Sequence, residues 1–455
     1  MGIEAFILFS ICFIAFVRPL WGLAILLISE CSMFFLGHYA TIKLPLGYAG
    51  SSDVFIVCLF VGSYWRSKRL HLTSKYTMNG FRFFPSRLML SAILPYVIWL
   101  AIFSLLSVPN YFEEQSFTIH VRRIISFVLP WSIVAVVWFM RDRAKEILKI
   151  VIFVASATAL VHIAIQLLDY RFVTYAAYWR SFSGISEYQQ YVLDNEVFVR
   201  GLPQGIMLML FCLIYCFSKY TISGGGRQNS HLYLLLYILQ FIAIGITFTR
   251  SLMFEVIVGS VIALVLSAKM TILNNRAMKR AFTLMVLLVT FIIALTAAKP
   301  NITEFWFERI EQFSNDKLIF TPYTIRGMDN LAAIHAIGDR PFWGWGDFQY
   351  PDVYSIRDTG PTDIHPLLQL GLVGGIPCIL LFIRLMWVLL KKFWIYSRNS
   401  MDMRKVLLPY LTIIATALFV INIIGAGGTT YGPGLIALAL FIGLMFAEVV
   451  NLEHI

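Results

Sequence analysis

Three residues combine reactive side chains with telling positions: Arg200 in Phe198-Val-Arg-Gly-Leu-Pro203, Arg250 in Thr249-Arg-Ser251, and His365 in Asp363-Ile-His-Pro366. Each stands at or beside the end of an apolar stretch. Guanidiniums grip phosphate oxygens through paired N–H donors, and an imidazole near its ordinary pKa of about 6.5 takes up a proton at neutral pH. Gathered at one membrane surface, the three suit a lipid-borne diphosphate, with the arginines on its charge and the histidine as base for an attacking hydroxyl. Each also has a plainer reading. An interfacial Arg snorkels to lipid headgroups, and a loop His is usually solvated or packed. At mid-bilayer an Arg costs roughly 2.5–3.5 kcal/mol, and less at the interface, so Arg250 asks for a partner. Arg122 and Arg123 read as headgroup anchors.

The polar material that would surround such a site is concentrated in two loops. The longer carries Arg326-Gly-Met-Asp-Asn-Leu-Ala-Ala-Ile-His335 and then Arg340-Pro-Phe-Trp-Gly-Trp-Gly346 and Tyr350. The shorter, 169–201, carries Trp179 and Arg180 and ends beside Arg200. Arg326 and Arg180 are candidate substrate-binding cations, and Trp343, Trp345, Tyr350 and Trp179 are candidate platforms for sugar rings. The same aromatics also suit an interfacial belt. Within the longer loop, spacing predicts amphipathic helices near 303–315 and 327–338, the first able to lie on a membrane surface.

These loops interrupt a chain that is otherwise soluble in lipid. Of its 455 residues 59% are hydrophobic and 13% charged, and the mean hydropathy is +0.77, values that place it among integral membrane proteins. Apolar runs predict spans over 3–17, 20–37, 51–65, 88–107, 122–140, 148–168, 202–218, 232–249, 251–268, 281–298, 367–390, 405–424 and 432–449. The count is about 12 or 13, because the first run is short enough to be half of a signal-like hairpin. The expected fold is therefore an all-α polytopic membrane protein. It divides into an N-terminal bundle over 1–298, a large loop over 299–366 and C-terminal spans over 367–455.

Orientation follows from Lys and Arg, which crowd into 66–87, 141–149, 269–280 and 391–405 and assign those segments to the cytoplasmic side. Segments 38–50, 108–121, 169–201, 299–366 and 425–431 then face outward with most of the acidic residues. The net charge of +11 reads as topology and not as affinity for nucleic acid, since the excess is spread over short inner loops. All six cysteines fall in predicted spans, so no disulfide framework braces the outer loops. Cys212 and Cys216, one helical turn apart, have no His or carboxylate beside them and read as packing residues; no metal-ligand constellation, P-loop, dinucleotide fingerprint or nucleophile elbow is present.

Thr249-Arg250-Ser251, then Arg326…Asp329-Asn-Leu-Ala-Ala-Ile…Pro341-Phe-Trp-Gly-Trp-Gly346, then His365…Leu370-Gly371-Leu372…Gly374 resemble the O-antigen ligase and polymerase superfamily of bacterial inner-membrane glycosyltransferases, mainly over 195–390. The resemblance implies a GT-C-like architecture with one large periplasmic loop. It also implies metal-independent transfer, without cofactor, from an undecaprenyl-diphosphate-linked glycan to a second glycan or to lipid A core. In that pattern Arg200 and Arg250 hold the diphosphate and His365 activates the acceptor hydroxyl. One feature departs from it: the family histidine is followed by an Asn and a longer acid-containing run, whereas Pro366 follows His365 directly and the run is shorter by about one turn. His335 is therefore the alternative histidine.

Chemistry of this kind predicts inversion at the anomeric carbon by single displacement, with two guanidiniums in place of a divalent metal. The balance between polymerase and ligase tilts slightly to polymerase. The competing class is a lipid-linked glycan flippase, which would need charge along an interior cavity; ionisable residues within the middle of spans are few, essentially Asp53 near an end, His162, Glu255 and Arg384. A structural membrane partner, for which the outer arginines would be dispensable, is the third reading.

Overall fold

The computed structural model describes residues 2–30, 41–44, 47–73, 87–106, 128–167, 185–193, 196–203, 205–222, 227–247, 250–269, 325–345, 365–399 and 432–453, with short helical pieces between 279 and 286 and between 413 and 417. These residues are predominantly helical. The helices are α1 Gly2–Val17, α2 Pro19–Glu30, α3 Ser51–Thr73, α4 Arg87–Leu106, α5 Ser132–Phe139, α6 Ala144–Leu167, α7 Ile206–Ile222, α8 Arg227–Ile246, α9 Arg250–Lys269, α10 Ile325–Asp339, α11 Pro366–Asn399 and α12 Gly432–Glu453. Two of the described helical segments, Arg141–Ala164 and Leu367–Lys391, are long and apolar enough to cross a membrane; the other apolar helices are shorter.

Strands mark a departure from the all-α expectation. β1 Thr41–Leu44 pairs antiparallel with β2 Gly47–Gly50, and β3 Ile185–Leu193 with β4 Glu196–Pro203. Both hairpins occupy segments read from the sequence as outer loops. In the second, Tyr188, Tyr191 and Val192 of β3 and Val197 and Phe198 of β4 are the aromatic and β-branched residue types that favour strands. The predicted span from 202 accordingly begins later, at Ile206, because Leu202 and Pro203 still belong to β4.

The bundle is built around α7 and α12. α7 carries apolar residues all round, as Met207-Leu-Met-Leu-Phe-Cys-Leu-Ile shows, and such a helix has no face to offer water. Its described side chains are buried apart from the half-buried Lys219. α6, α8 and α9 pack against it, and Phe211 stacks on Phe441 of α12 with ring centroids 3.7 Å apart. α12 in turn lies against α5, where Gly443 leaves room for Val134 and Val137. Outer helices carry exposed apolar stripes at helical spacing, including Leu94, Ile98 and Ile102 on α4 and Ile376, Leu380 and Trp387 on α11.

Side-chain contacts fix the two ends of the bundle. At one end the Arg66 guanidinium donates to the Asp142 carboxylate at 2.7 Å, Arg280 donates to the Tyr220 carbonyl at 3.1 Å, and Lys145 and Lys219 lie close enough to repel. Arg66, Asp142, Lys145 and Arg280 belong to the Lys/Arg-rich segments that the charge pattern assigned to a common side. Antiparallel packing of α4 on α11 then sends the start of α11 to the opposite end. Gln240 reaching Ser156 at 3.5 Å sets α8 parallel to α6, so the α8–α9 turn lies at that opposite end with the start of α7. Of the described cysteines, Cys12, Cys58, Cys212, Cys216 and Cys378 are free thiols.

Candidate functional site

The end of the bundle opposite the basic cluster holds a knot of three elements: α10 with the turn that follows it, the first part of α11, and the outward half of α4. α10 was expected over 327–338 and spans Ile325–Asp339. Ala333, Ala336 and Ile337 on its inner face pack on Leu372 and Leu368, and Gly371 leaves the space that Ile337 fills. The small residues allow close approach of the two helices, which brings Asn330 to the head of α11.

α11 is interrupted inside the bundle. Gly374 has φ −134° and ψ 21°, and Gly375 has φ 72° and ψ −173°, a conformation that side chains with a Cβ rarely adopt. A break of this kind exposes backbone groups that cost several kcal/mol each if left unpaired in hydrocarbon. The segment Arg340-Pro-Phe-Trp-Gly-Trp345 meets them: Trp345 N–H donates to Leu372 O at 2.6 Å, and Ile376 N–H donates to Pro341 O at 2.7 Å. From α4, Trp99 Nε1–H donates to Gly374 O at 2.8 Å. The approach is so close that a Cβ at Gly344, itself at φ 66°, would lie 2.6 Å from Leu372 O, and one at Gly375 would lie 2.5 Å from Pro341 O. The glycines of the Trp-Gly-Trp and Gly-Gly sequences therefore exist for each other.

His365 immediately precedes α11 and is half-buried. Its backbone N–H donates to Asn330 Oδ1 at 2.9 Å, and its carbonyl accepts from Gln369 N–H at 3.0 Å, opening the helix. Its ring Nδ1 accepts the Leu367 N–H at 3.2 Å. Asp329 and Asn330 are both buried. His335, the alternative histidine, is exposed on α10.

The two tryptophans of the turn have different surroundings. Trp345 donates from Nε1 to Ala336 O at 2.7 Å, and the Arg340 guanidinium covers its ring at 3.9 Å, so this indole is spent on holding α10 to the turn. Trp343 is 59% exposed beside Phe103 at 5.5 Å, which in turn rests on Trp99 at 4.1 Å. It is the more open of the two platforms expected for sugar rings.

Arg250 is the first residue of α9, and Arg200 sits in β4 opposite Gln189, a few residues before α7. Both positions thus lie at the same end of the bundle as His365, as does Arg326 near the start of α10; the side chains of all three arginines are outside the described residues. Arg180, Trp179 and Tyr350 lie outside the described residues altogether, as do 303–315. Among the described residues no group of three or more His, Cys, Asp or Glu is placed to hold a metal ion.

Reading the sequence missed Trp99, Asn330 as an anchor, and the helix break. A signal existed for the first two: an indole N–H within a span needs an acceptor, and Asn330 interrupts the apolar face of α10. No family model matches this chain, and no curated protein matches it.

Proposed function

We propose that this chain is a polytopic membrane glycosyltransferase of the bacterial inner membrane. It takes a glycan from undecaprenyl diphosphate at the periplasmic face and joins it to another glycan or to lipid A core, with a slight lean to polymerisation. The observation that carries the reading is the anchored His365: a half-buried histidine whose backbone N–H is held by Asn330 at the head of α11, at the end of the bundle where α9 begins with Arg250 and β4 carries Arg200. The scaffold around it is preorganised by the α11 break, which favours surface chemistry that depends on fixed dipoles. Exposed apolar stripes on α4 and α11 suit a lipid solvent, and the Arg66–Asp142 end, rich in Lys and Arg, suits the cytoplasmic side. In this reading the arginines hold the diphosphate, Trp343 offers a ring face to the sugar, and no nucleotide takes part.

The test uses purified protein in nanodiscs with an undecaprenyl-diphosphate oligosaccharide and EDTA, and compares the parent with Arg250→Ala and His365→Ala. Ladders of product identify a polymerase, and single transfer to added lipid A core a ligase. Each variant should lose about 10²–10³-fold in rate. A parent without transfer to any acceptor, or folded variants with full activity, would sink the reading.

One observation favours the flippase alternative. His162 on α6 and Glu255 on α9 are buried, and their side chains have no hydrogen-bond partner among the described residues. Ionisable groups in such places mark ion or substrate pathways in many transporters. Movement of a fluorescent lipid-linked glycan across vesicles without covalent change would select that alternative.

A further inference from the structure

At the basic end of the bundle, cations collect on one face of α6 and at the neighbouring end of α7. Lys145 and Lys149 are exposed one turn apart on α6, in the first turns of a segment long and apolar enough to cross a membrane. Lys219, in the last turn of α7, lies close enough to Lys145 to repel it. Arg280 adds a fourth charge, donating to the Tyr220 carbonyl at 3.1 Å with its guanidinium over the Tyr220 ring at 5.7 Å. Lys219 Nζ likewise stands over the Tyr215 ring at 5.9 Å. The negative end of α7 accounts for only about half a unit of this charge. Lys145 gains nothing from a helix dipole, because it stands at the positive end of α6. The acids beside it in sequence, Asp142 and Glu146, are engaged by Arg66 at 2.7 Å and by Arg143 at 3.5 Å. Like charges one turn apart or facing across two helices destabilise the empty protein, and an anion between them relieves the repulsion.

Below these lysines the same face turns apolar. Phe153 and Leu160 continue the stripe of Lys145 and Lys149 at helical spacing, and they are 69% and 57% exposed. A ligand that matches the whole stripe has a negative head and a hydrocarbon tail. Free phosphate would leave the apolar part unused, and an uncharged lipid would leave the cations unmet. We propose that this stripe seats one anionic phospholipid of the inner leaflet, with its phosphate among Lys145, Lys149 and Lys219 and an acyl chain along Phe153 and Leu160. Lys149 starts about 6 Å deeper than Lys145, a gap that its four-carbon stem spans. Arg280 strengthens the positive field from the far side of α7. The inference goes beyond glycosyl transfer and rests only on the part of that reading that sets the chain in a bilayer with this end inward.

The test titrates fluorescently labelled phosphatidylglycerol onto the full chain in a neutral detergent. The parent should bind it about tenfold more tightly than labelled phosphatidylethanolamine, whose headgroup has no net charge. At roughly fivefold per cation, Lys145→Gln combined with Lys149→Gln should weaken binding about 25-fold. Both lysines are exposed, so the variant keeps the packing of α6. Lys68→Gln removes an exposed cation from the same end on α3 and should stay within about twofold of the parent. On the unaltered parent, raising the salt from about 0.05 M to about 0.5 M should weaken binding about tenfold, and a large excess of inorganic phosphate should leave the lipid in place. Equal affinity for the two lipids, indifference to salt, a double variant that binds as the parent does, or an equal loss in Lys68→Gln each overturns the seat. Displacement by inorganic phosphate overturns it too, in favour of a site for a soluble anion. No glycan donor enters the measurement, so a chain that transfers no glycan defeats the proposed function and leaves this outcome untouched.

Discussion

The knot at the head of α11 and the interior of the α6–α8–α9 group answer the same physical demand in opposite ways. In the knot the helix is broken, yet the Leu372 and Gly374 carbonyls and the Ile376 N–H each have a short partner from another element. In the helical group the backbone is regular, but the buried side chains of His162 and Glu255 and the Gln240 Oε1 have no hydrogen-bond partner among the described residues. Irregular backbone is thus paired at these three groups, and regular backbone carries buried polar side chains without a partner among the described residues. A buried polar group kept without a partner costs about 1–3 kcal/mol. The first region is built to hold one geometry; the second keeps polar groups for which stability alone gives no reason.

Substitutions break this contrast at different depths. Gly375→Val should have the largest effect. It puts a β-branched residue at φ 72° and drives a Cβ against Pro341 O, and a loss of about 3 kcal/mol in thermal or denaturant unfolding in detergent is expected. Wild-type stability in this variant would mean that the turn and the break are not joined as described. Trp99→Phe keeps the ring packing against Phe103 but leaves the Gly374 carbonyl unpaired, and about 1–2 kcal/mol should go. The same unfolding measurement on Trp345→Phe, which strands the Ala336 carbonyl, gives an internal comparison. Smallest of all is Glu255→Gln, which removes a carboxylate that has no hydrogen-bond partner among the described residues. Its stability should stay unchanged or rise by up to about 1 kcal/mol. A loss larger than that would place a partner on Glu255 and erase the contrast.

How much of this was legible in the sequence depended on how far apart the cooperating residues are. The helices follow from apolar runs, since each run's own composition decides its burial, and α10 was placed to within a few residues by its spacing. The common end of Arg66, Asp142 and Arg280 followed from Lys and Arg counts, which act locally on each loop. The hairpins were hidden because Gln189, Gln190 and Glu196 make those segments look like polar loop, and only the pairing of β3 with β4 gives their backbone its partners. The break was hidden for a related reason. Gly374-Gly375-Ile-Pro377 is a visible irregularity, but its meaning depends on residues 340–345 and on Trp99, far away in the chain. Within the candidate site, Trp343 and Trp345 looked alike in sequence, and only their neighbours separate an open ring from a structural brace.

The partners of the α11 break both precede it in the chain, Trp99 by a wide margin and the 340–345 turn by about the length of one loop. A ribosome making this protein would therefore deliver the receiving surface before the interrupted helix emerges, and domains commonly form in that order. The kink at Gly374–Gly375 has no need to arise spontaneously in a free helix. The receiving groups on Trp99 and the 340–345 turn are thus synthesised before the helix they bend, and the bend sets the direction in which α11 leaves His365.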